Sequence, residues 1–338
     1  MSGPVYLIAS ERSGTNFLRT RLTGVQGVYY GPSAPHFLKH LYYSEPFFGN
    51  LSDDQNFHAF IKDALALCYL HFAPWDIDFD ADALIAAYGD RKRTAVYFAD
   101  FLFEQYAARK GYKSYFCKDN FIYEFALDIA EKIPGTKFIY LYRDPRDFVL
   151  SQMKRPNAAR SVINYARLWE YEQVKSIRVA TELKDRSRCL WVSYESLVRD
   201  EEKELRRICD FMGVKMDKAF NNSIDDNVIV PVTEWSNLSK KTMKQNYNKF
   251  LNELSAREIR LIEAICQKPM AFLKYESTCG KNFKMQIQKA DYLTEWMRRV
   301  FLSIKNIYRR KRNIHLSPIM QKRYRHCNKI DVNYRAPL

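Results

Sequence analysis

The sequence has no long hydrophobic run, and its first apolar stretch ends at the charged pair Glu11 and Arg12. A secretory signal or a membrane-spanning helix needs a longer uncharged segment. We therefore predict a cytoplasmic protein without a membrane span, whose folded domain begins close to Met1. A chain of 338 residues, 47% of them hydrophobic, is long enough to bury a full core.

Cysteine is scarce and scattered. The chain has seven cysteines, an odd number, and no two of them form a Cys-x-x-Cys pair. Disulfide-stabilised domains and zinc sites use denser and more regular cysteine spacing. The pattern argues against both and favours reduced thiols in the cytoplasm.

Glycine occurs only 11 times, and the spaced glycines and Gly-Lys-Ser/Thr ending of an ATP-binding P-loop are absent after the first apolar stretch. That stretch begins at Val5 and is followed by the turn Ser13-Gly14-Thr15 and a helical pattern. A strand, a glycine turn and a helix N-terminus present free amides and a positive dipole to an anion. The segment therefore predicts a phosphate site, although an ordinary turn has the same form.

A second segment is organised in the same way. The apolar run Lys137–Tyr142 predicts a buried strand, Arg143 ends it, and Pro145 favours the first turn of a helix that carries Ser151. A guanidinium at the carboxyl edge of a parallel strand and a hydroxyl on the next helix can bind one phosphate. The alternative is an ordinary helix start, with Arg143 paired to Asp144 or to the next aspartate. Two such segments in one chain favour the phosphate interpretation.

Strand-like and helix-like segments alternate through the first 280 residues. This alternation predicts an α/β fold with a mostly parallel, doubly wound sheet flanked by helices. The aromatic-rich stretch 31–90 is expected to cover the site rather than to extend the sheet. Further strands are predicted at Tyr112–Lys118 and Arg188–Ser193, and helices at Asp53–His71, Arg93–Lys110, Phe121–Lys132, Asn164–Leu183 and Glu195–Met212.

Positive charge is concentrated at the C-terminus. Residues 281–338 contain 15 Lys and Arg and 3 Asp and Glu, a net charge of +12 out of +15 for the whole chain. Within 290–312, apolar and aromatic residues recur at helical spacing among the cations, as in helices that lie on anionic membranes. We therefore predict a domain at 1–280 and a basic amphipathic extension at 281–338. A helix packed on the core is the main alternative, and nucleic-acid binding is weaker because no reader motif is present.

The paired phosphate segments resemble those of the sulfotransferases that use 3′-phosphoadenosine 5′-phosphosulfate (PAPS), more closely the carbohydrate type than the cytosolic small-molecule type. The resemblance implies a fold like that of P-loop NTPases. It places the 5′-phosphosulfate at Arg12, Ser13, Gly14, Thr15 and Asn16, and the 3′-phosphate at Arg143 and Ser151. Phe17 and Tyr194 correspond to aromatic residues near the adenine. Lys249, with Lys244 as the alternative, corresponds to a basic contact in the family's C-terminal loop.

The resemblance also implies the catalytic groups. Sulfuryl transfer is an in-line displacement like phosphoryl transfer, for which no metal is required in principle, and Arg12 and Lys118 are expected to act on the leaving oxygen. Two family patterns for the general base are missing, because Asn120 replaces a histidine and Ala34 replaces a glutamate. His36 is the candidate base, since an imidazole titrates near neutral pH. The alternatives are His40, Glu45 and Asp119.

We therefore expect a PAPS-dependent sulfotransferase that acts on a hydroxyl of a glycan or a lipid-linked saccharide. Its basic extension is expected to hold it against the cytoplasmic face of an anionic membrane, with no specific nucleic-acid partner. A nucleotide-dependent kinase of related fold is the alternative enzyme. A non-enzymatic basic protein that binds membranes or nucleic acid is the alternative of another class.

Overall fold

The computed structural model describes residues 3–216 except 24, 72 and 156–160, residues 246–278 and 318–327, and nine positions between 289 and 304. Its strands are β1 (Val5–Ala9), β2 (Tyr29–Tyr30), β3 (Ser114–Cys117), β4 (Lys137–Tyr142) and β5 (Cys189–Ser193). They form one sheet in the order β2-β3-β1-β4-β5, and every pairing is parallel. From β1 the chain passes to the edge strand β2, returns to β3 beside β1, and then continues to β4 and β5 on the other side of β1, which confirms the predicted doubly wound sheet.

Helices follow or connect these strands. They are α1 (Thr15–Leu22), α2 (Leu38–Ser44), α3 (Asp54–Tyr69), α4 (Ala81–Tyr88), α5 (Ala95–Arg109), α6 (Ile122–Lys132), α7 (Pro145–Met153), α8 (Val162–Asp185), α9 (Tyr194–Arg199), α10 (Glu201–Met212), α11 (Phe250–Glu253) and α12 (Ala256–Phe272), and a C-terminal helix at Pro318–Cys327.

The sheet is buried on both faces. Side chains alternate along a strand, so Tyr6 and Ile8 of β1 enter one hydrophobic core while Val5 and Leu7 enter the other. The first core contains residues of α5, α6, α8 and α12, and the second contains residues of α1, α9 and α10. A strand covered on both faces is apolar throughout, which is why β1 and β4 were recognisable in the sequence.

The helices α2 and α4 were not predicted, and two further differences from the predicted elements have a clear physical reason. The short strand β2 was missed, because two residues carry no recognisable period. The single helix predicted at Glu195–Met212 is two helices, since the backbone at Asp200 leaves the helical region with φ −135° and ψ 62°. The second helix then begins with Glu201 and Glu202, whose charges suit a helix N-terminus.

The described part of 31–90 contains α2, α3 and α4 and no strand, as predicted. None of the described helices combines the length and the apolar composition needed to cross a bilayer. The six described cysteines are free thiols. The predicted boundary near residue 280 stays a prediction, because residues 279–288 lie outside the described residues.

Candidate active site

The first predicted phosphate segment is a tight turn at the carboxyl end of β1. Gly14 has φ +88° and directly precedes α1, and this left-handed conformation favours glycine. A Cβ atom at Gly14 would lie 2.4 Å from the ring of Tyr194. Glycine is therefore required here both by the backbone and by the aromatic ring packed against it, and the turn leaves the first amides of α1 at the sheet edge.

The two predicted phosphate segments contact each other directly. Arg143 donates from Nη1 to the carbonyl oxygen of Arg12 at 2.8 Å, and Arg12 donates from Nε to Oγ of Ser151 at 3.1 Å. The first segment follows β1 and the second follows β4, which are adjacent in the sheet. The structure thus brings Arg12 of the first segment into contact with Arg143 and Ser151 of the second. These two residues lie more than 130 positions further along the chain.

Of the two alternative partners of Arg143, Asp144 makes no described contact with it, whereas Asp147 interacts with it electrostatically: burial raises the pKa of Asp147 and Arg143 opposes this rise. Asp144 instead accepts hydrogen bonds from Nε and Nη2 of Arg146 at 2.9 and 2.6 Å. Arg146 also donates a hydrogen bond to Glu263 at 2.6 Å. The Arg143 guanidinium lies 4.4 Å from the ring centroid of Tyr194, a cation–π contact. Arg146 therefore neutralises Asp144, and Arg143 remains at the strand end.

Two buried donors in these segments lack a hydrogen-bond partner among the described residues: Nε of Arg143 and Oγ of Ser13. A buried polar atom without a partner has a cost of about 1–3 kcal/mol. Both atoms are donors, and both belong to the segments that the sequence assigns to phosphate groups. Their chemistry fits an anion with several oxygens, as a phosphorylated nucleotide has.

Tyr194 and Phe17, which were predicted near an adenine, lie at the same edge of the sheet. Tyr194 is almost fully buried, and its hydroxyl accepts a hydrogen bond from Nδ2 of Asn246 at 2.6 Å. Burial raises the pKa of Tyr194, so the phenol stays neutral. Phe17 is half-buried, and the Arg21 guanidinium lies 4.9 Å from its ring centroid. Both aromatic residues border the first segment: Phe17 directly follows Asn16, and the ring of Tyr194 packs against Gly14.

Residues 246–250 pack against the second segment. The backbone amide of Phe250 donates to Oδ1 of Asp147 at 3.0 Å, while Asn246 contacts Tyr194. These contacts place the backbone of Lys249 beside α7, which carries Ser151. The alternative contact, Lys244, lies outside the described residues.

Lys118 follows β3 and reaches the first segment. Its Nζ donates to Oδ1 of Asn16 at 2.8 Å. Desolvation and the neighbouring Arg19 lower the pKa of Lys118 to about 8, an effect that Glu11 and Asp119 oppose. The ammonium is therefore mainly protonated at pH 7, and its proton is more easily given up than that of an exposed lysine.

His36 is held by the residue that follows Lys118. Its Nδ1 lies 3.3 Å from Oδ1 of Asp119, whereas the other carboxylate oxygen accepts the amides of Phe37 at 3.1 Å and Leu38 at 2.9 Å. Burial alone would raise the pKa of Asp119, but the contacts with His36 and with backbone amides hold it below its ordinary value. Asp119 is thus an anion close to Nδ1 of His36, at ion-pair distance but without a well-formed hydrogen bond, and its position on the Nδ1 side leaves Nε2 of the ring as the nitrogen farther from the carboxylate.

The alternative bases have other surroundings. His40 is 1% exposed and pairs with Asp63 at 2.8 Å, and Glu45 accepts the amide of Ala95 at 2.7 Å at the start of α5. Asp119 already accepts hydrogen bonds from three backbone amides, those of Phe37, Leu38 and Asn120. His36, whose side chain is 27% exposed, is the group among these four that combines access to solvent with a neighbouring carboxylate.

Two residues near His36 were not predicted. Partial desolvation would raise the pKa of Glu11, whose side chain is 43% exposed, but Arg155, His36 and Lys118 hold it below its ordinary value. His71 lies 5.2 Å from His36 between ring centroids, and burial together with His36 lowers its pKa to about 3. His71 is therefore neutral, and no local motif in the sequence signals either residue.

Within the described residues, no cluster of three or more His, Cys, Asp or Glu side chains has the arrangement of a metal site. The site is instead rich in cations and hydrogen-bond donors. Its composition suits a polyanionic substrate and an in-line transfer assisted by positive side chains.

The family model described as "Sulfotransferase family" matches residues 4–218, which is more than half of the chain. The chain belongs to the sulfotransferase family. The matched region contains both phosphate segments, Lys118 and His36, while Lys249 and the C-terminal helix lie beyond it. The expectation of a sulfotransferase enzyme is thereby confirmed.

Individual relatives of this sulfotransferase are distant. Human sulfotransferase 1C2 is 27% identical over 138 residues, which are 35% of this chain and 46% of that protein, so the chain spans less than half of this curated relative. The solved sulfotransferase domain from the curacin biosynthetic pathway is 18% identical, with a TM-score of 0.50 over 82% of this chain and 99% of that one. The domain from the olefin synthase of Synechococcus PCC 7002 is 23% identical, with a TM-score of 0.49 over 78% and 95%. The likeness to the curacin-pathway domain supports the fold.

Proposed function

We propose that this sulfotransferase moves a sulfuryl group from PAPS to a hydroxyl group. The observation that carries the proposal is the direct link between the two phosphate segments, in which Arg143 contacts Arg12 and Arg12 contacts Ser151. In the same segments, the buried atoms Arg143 Nε and Ser13 Oγ have no hydrogen-bond partner among the described residues and could donate to phosphate oxygens. A donor with one phosphate group at each end fits this pair of segments, and an ATP-type triphosphate has no second phosphate group to offer the Arg143 end.

The residues of this chain divide the chemistry among them. Arg12 to Asn16 hold the phosphosulfate end, Arg143 and Ser151 hold the 3′-phosphate, and PAPS supplies the sulfuryl group. The acceptor oxygen forms a new bond to sulfur, and the sulfur–oxygen bond to the 5′-phosphate breaks. Nε2 of His36 takes the hydroxyl proton, while Lys118 and Arg12 stabilise negative charge on the departing phosphate.

A comparison of nucleotides tests the donor. Adenosine 3′,5′-bisphosphate (PAP), the product of the donor, is expected to raise the melting temperature of the protein, because it carries phosphates for both segments. ATP, which lacks a 3′-phosphate, is expected to have little effect. Stabilisation by ATP and not by PAP would support the kinase alternative and contradict the proposal.

For the acceptor, we propose a hydroxyl of a glycan or a lipid-linked saccharide. The support is the resemblance of the segment Ala34-Pro35-His36-Phe37 to the Glu-x-His-Phe segment of carbohydrate-type members, in which the glutamate is the base; here Ala34 replaces that glutamate and His36 is the remaining candidate. Labelled sulfate transfer onto a panel of glycans, glycolipids and small phenols tests this proposal. Transfer to phenols alone would overturn the saccharide proposal and leave the donor proposal intact.

For the location, we propose the cytoplasmic face of an anionic membrane. Seven large apolar side chains at helical positions between 289 and 304 are 38–64% exposed: Tyr292, Leu293, Trp296, Met297, Val300, Phe301 and Ile304. They recur about every four residues, so they share one side of a helix, within an extension of net charge +12. The rest of the 290–312 segment lies outside the described residues.

Vesicle sedimentation of the full chain tests this location. Anionic vesicles should retain the protein and neutral vesicles should retain less of it, because the extension is strongly basic. The double substitution Trp296→Ser with Phe301→Ser should reduce binding, whereas Val174→Ser, at an equally exposed site on α8, should not. Equal binding by all three proteins would contradict the proposal.

A further inference from the structure

The C-terminal helix returns to the catalytic domain and contacts the backbone at His36. Arg323 on this helix is 8% exposed, and its guanidinium donates four hydrogen bonds to backbone carbonyls. Nη2 donates to Pro35 at 2.6 Å and to His36 at 3.0 Å, while Nη1 donates to Leu67 at 2.5 Å and Leu70 at 3.0 Å. One side chain therefore links the loop that carries the proposed base to the C-terminal end of α3.

A buried guanidinium at this place has a physical reason. Leu67 lies in the last turn of α3, and Leu70 follows its end. The last carbonyls of a helix lack intrahelical partners and carry partial negative charge. The carbonyls of Leu67 and Leu70 accept hydrogen bonds from Nη1 of Arg323. Because the guanidinium is planar, Nη2 is then directed at the carbonyls of Pro35 and His36.

His36 itself has a backbone conformation that requires support. Its φ is +52°, a left-handed conformation that is unfavourable by about 1–2 kcal/mol for a residue with a Cβ atom. Such conformations persist when the surrounding structure fixes them. Arg323 binds the carbonyls of residues 35 and 36, and Asp119 binds the amides of residues 37 and 38. The backbone on both sides of the His36 ring is thus fixed by two charged side chains that are distant in sequence.

A second contact holds the same helix in place. Nε2 of His326 lies 2.5 Å from Oδ1 of Asp63, whose other oxygen lies 2.8 Å from Nε2 of His40. Burial opposes a charged His40, but hydrogen bonds with Asp63 and Cys327 raise its pKa to about 9. The C-terminal helix is therefore attached to α2 and α3 at two points one helical turn apart.

We propose that Arg323 is a positioning residue for His36, so that a segment outside the family match at 4–218 completes the acceptor side of the active site. The inference rests on the proposed role of His36 as the base. It adds that the left-handed backbone at His36, and with it the direction of Nε2, depends on the guanidinium of the C-terminal helix. The donor site does not depend on it, because no described contact links Arg323 to residues 12–16 or 143–151.

The test is made on the full chain with three variants. Arg323→Ala removes the fork, and Arg323→Lys keeps the charge but cannot occupy four carbonyls with the same geometry. Lys322→Ala, at the exposed neighbouring position of the same helix, is the matched control. For each protein, the ring signal of His36 is recorded by NMR after histidine labelling, with assignment by His36→Asn, and the rise in melting temperature with PAP is measured.

We expect Arg323→Ala to move or broaden the His36 signal, Arg323→Lys to do so partially, and Lys322→Ala to leave it unchanged. Added guanidinium ion should restore the Arg323→Ala signal towards that of the wild type. The rise in melting temperature with PAP should be retained in all three. On an acceptor found by the sulfate-transfer screen, kcat of Arg323→Ala should fall about 10- to 100-fold, since misplacement of a reacting group by 1 Å can have that effect.

An unchanged His36 signal in Arg323→Ala would overturn the inference. If Arg323→Ala does not fold, an unchanged signal and unchanged kcat in Arg323→Lys would overturn it equally. Failure of PAP to stabilise the wild-type protein would instead contradict the proposed function. The two failures are therefore distinguishable.

Discussion

The proposed donor side and the proposed acceptor side of this site are held in different ways. On the donor side, the two phosphate segments follow adjacent strands and contact each other through Arg12, Arg143 and Ser151. On the acceptor side, His36 lies in a loop between short elements, and Asp119 and Arg323 fix that loop from distant parts of the chain. The parallel sheet thus positions the donor site directly, whereas the acceptor site depends on long-range polar contacts.

This difference has a functional consequence. Loops that are fixed by a few polar contacts tolerate change in the segments around them, and binding residues are frequently placed there on a rigid scaffold. The proposed donor site, built on strand ends, is therefore the more constrained of the two, whereas the proposed acceptor site, built from loops and a C-terminal helix, leaves more room for change.

The largest expected effect is that of His36→Asn, which should lower turnover and leave PAP binding intact. Removal of a general base lowers turnover by about 10²–10⁴-fold. PAP should still stabilise the variant, because His36 contacts Asp119 and not the phosphate segments. His58→Asn, which alters a histidine paired with the exposed Asp82, is the control and should keep wild-type turnover. Wild-type turnover in His36→Asn would show that another group takes the proton.

Arg143→Ala should have the converse effect on the donor side. It removes the contact to Arg12 and the orphaned Nε, and a lost charge-assisted hydrogen bond has an effect of about 1.5–3 kcal/mol. We therefore expect the affinity for PAP, measured by calorimetry, to fall by about 100-fold. Arg186→Ala, which breaks an exposed pair with Glu182, should leave it unchanged. Intact PAP binding in Arg143→Ala would contradict the assignment of the 3′-phosphate to Arg143.

Gly14→Ala tests how closely the first segment packs. The variant combines a left-handed backbone with a Cβ atom only 2.4 Å from Tyr194, so we expect a loss of about 2–4 kcal/mol in the free energy of unfolding, together with weaker PAP binding. Gly111→Ala is the matched control, because Gly111 has φ +84° and a Cβ atom added there would meet no atom within 4 Å. Equal losses in the two variants would show that the contact with Tyr194 is unimportant.

The positions of the two proposed donor segments were predictable from sequence, and most of the surroundings of the proposed acceptor side were not. Arg12 to Asn16 and Arg143 to Ser151 are local motifs attached to apolar strands, so their position follows from the parallel fold. His36 was proposed from its neighbours, but the carboxylate beside its ring belongs to Asp119, which follows β3 and accepts the backbone amides at the start of α2. Arg323 lies 287 residues from His36, and nothing in a basic segment distinguishes a buried arginine from a solvated one.

The last expected effect is a pH dependence at the contacts between the C-terminal helix and the proposed acceptor side. Hydrogen bonds with Asp63 and Cys327 raise the pKa of His40 to about 9 against the effect of burial, and the contacts with His326 and His40 lower the pKa of Asp63 to about 2. A raised histidine pKa stabilises the fold fully below the unfolded value near 6.5, and this contribution disappears as the pH rises through about 9.

The free energy of unfolding should therefore fall between about pH 6.5 and pH 9, by at most about 3 kcal/mol for His40. Denaturant titrations at several pH values measure this fall, and His40→Gln should flatten it. His58→Gln is the control, because its partner Asp82 is 85% exposed and such a pair is screened by water. Since Asp63 also contacts His326, loss of the His40 charge should weaken the attachment of the C-terminal helix before it affects PAP binding. An unchanged pH dependence in His40→Gln would show that this cluster contributes little to the acceptor side.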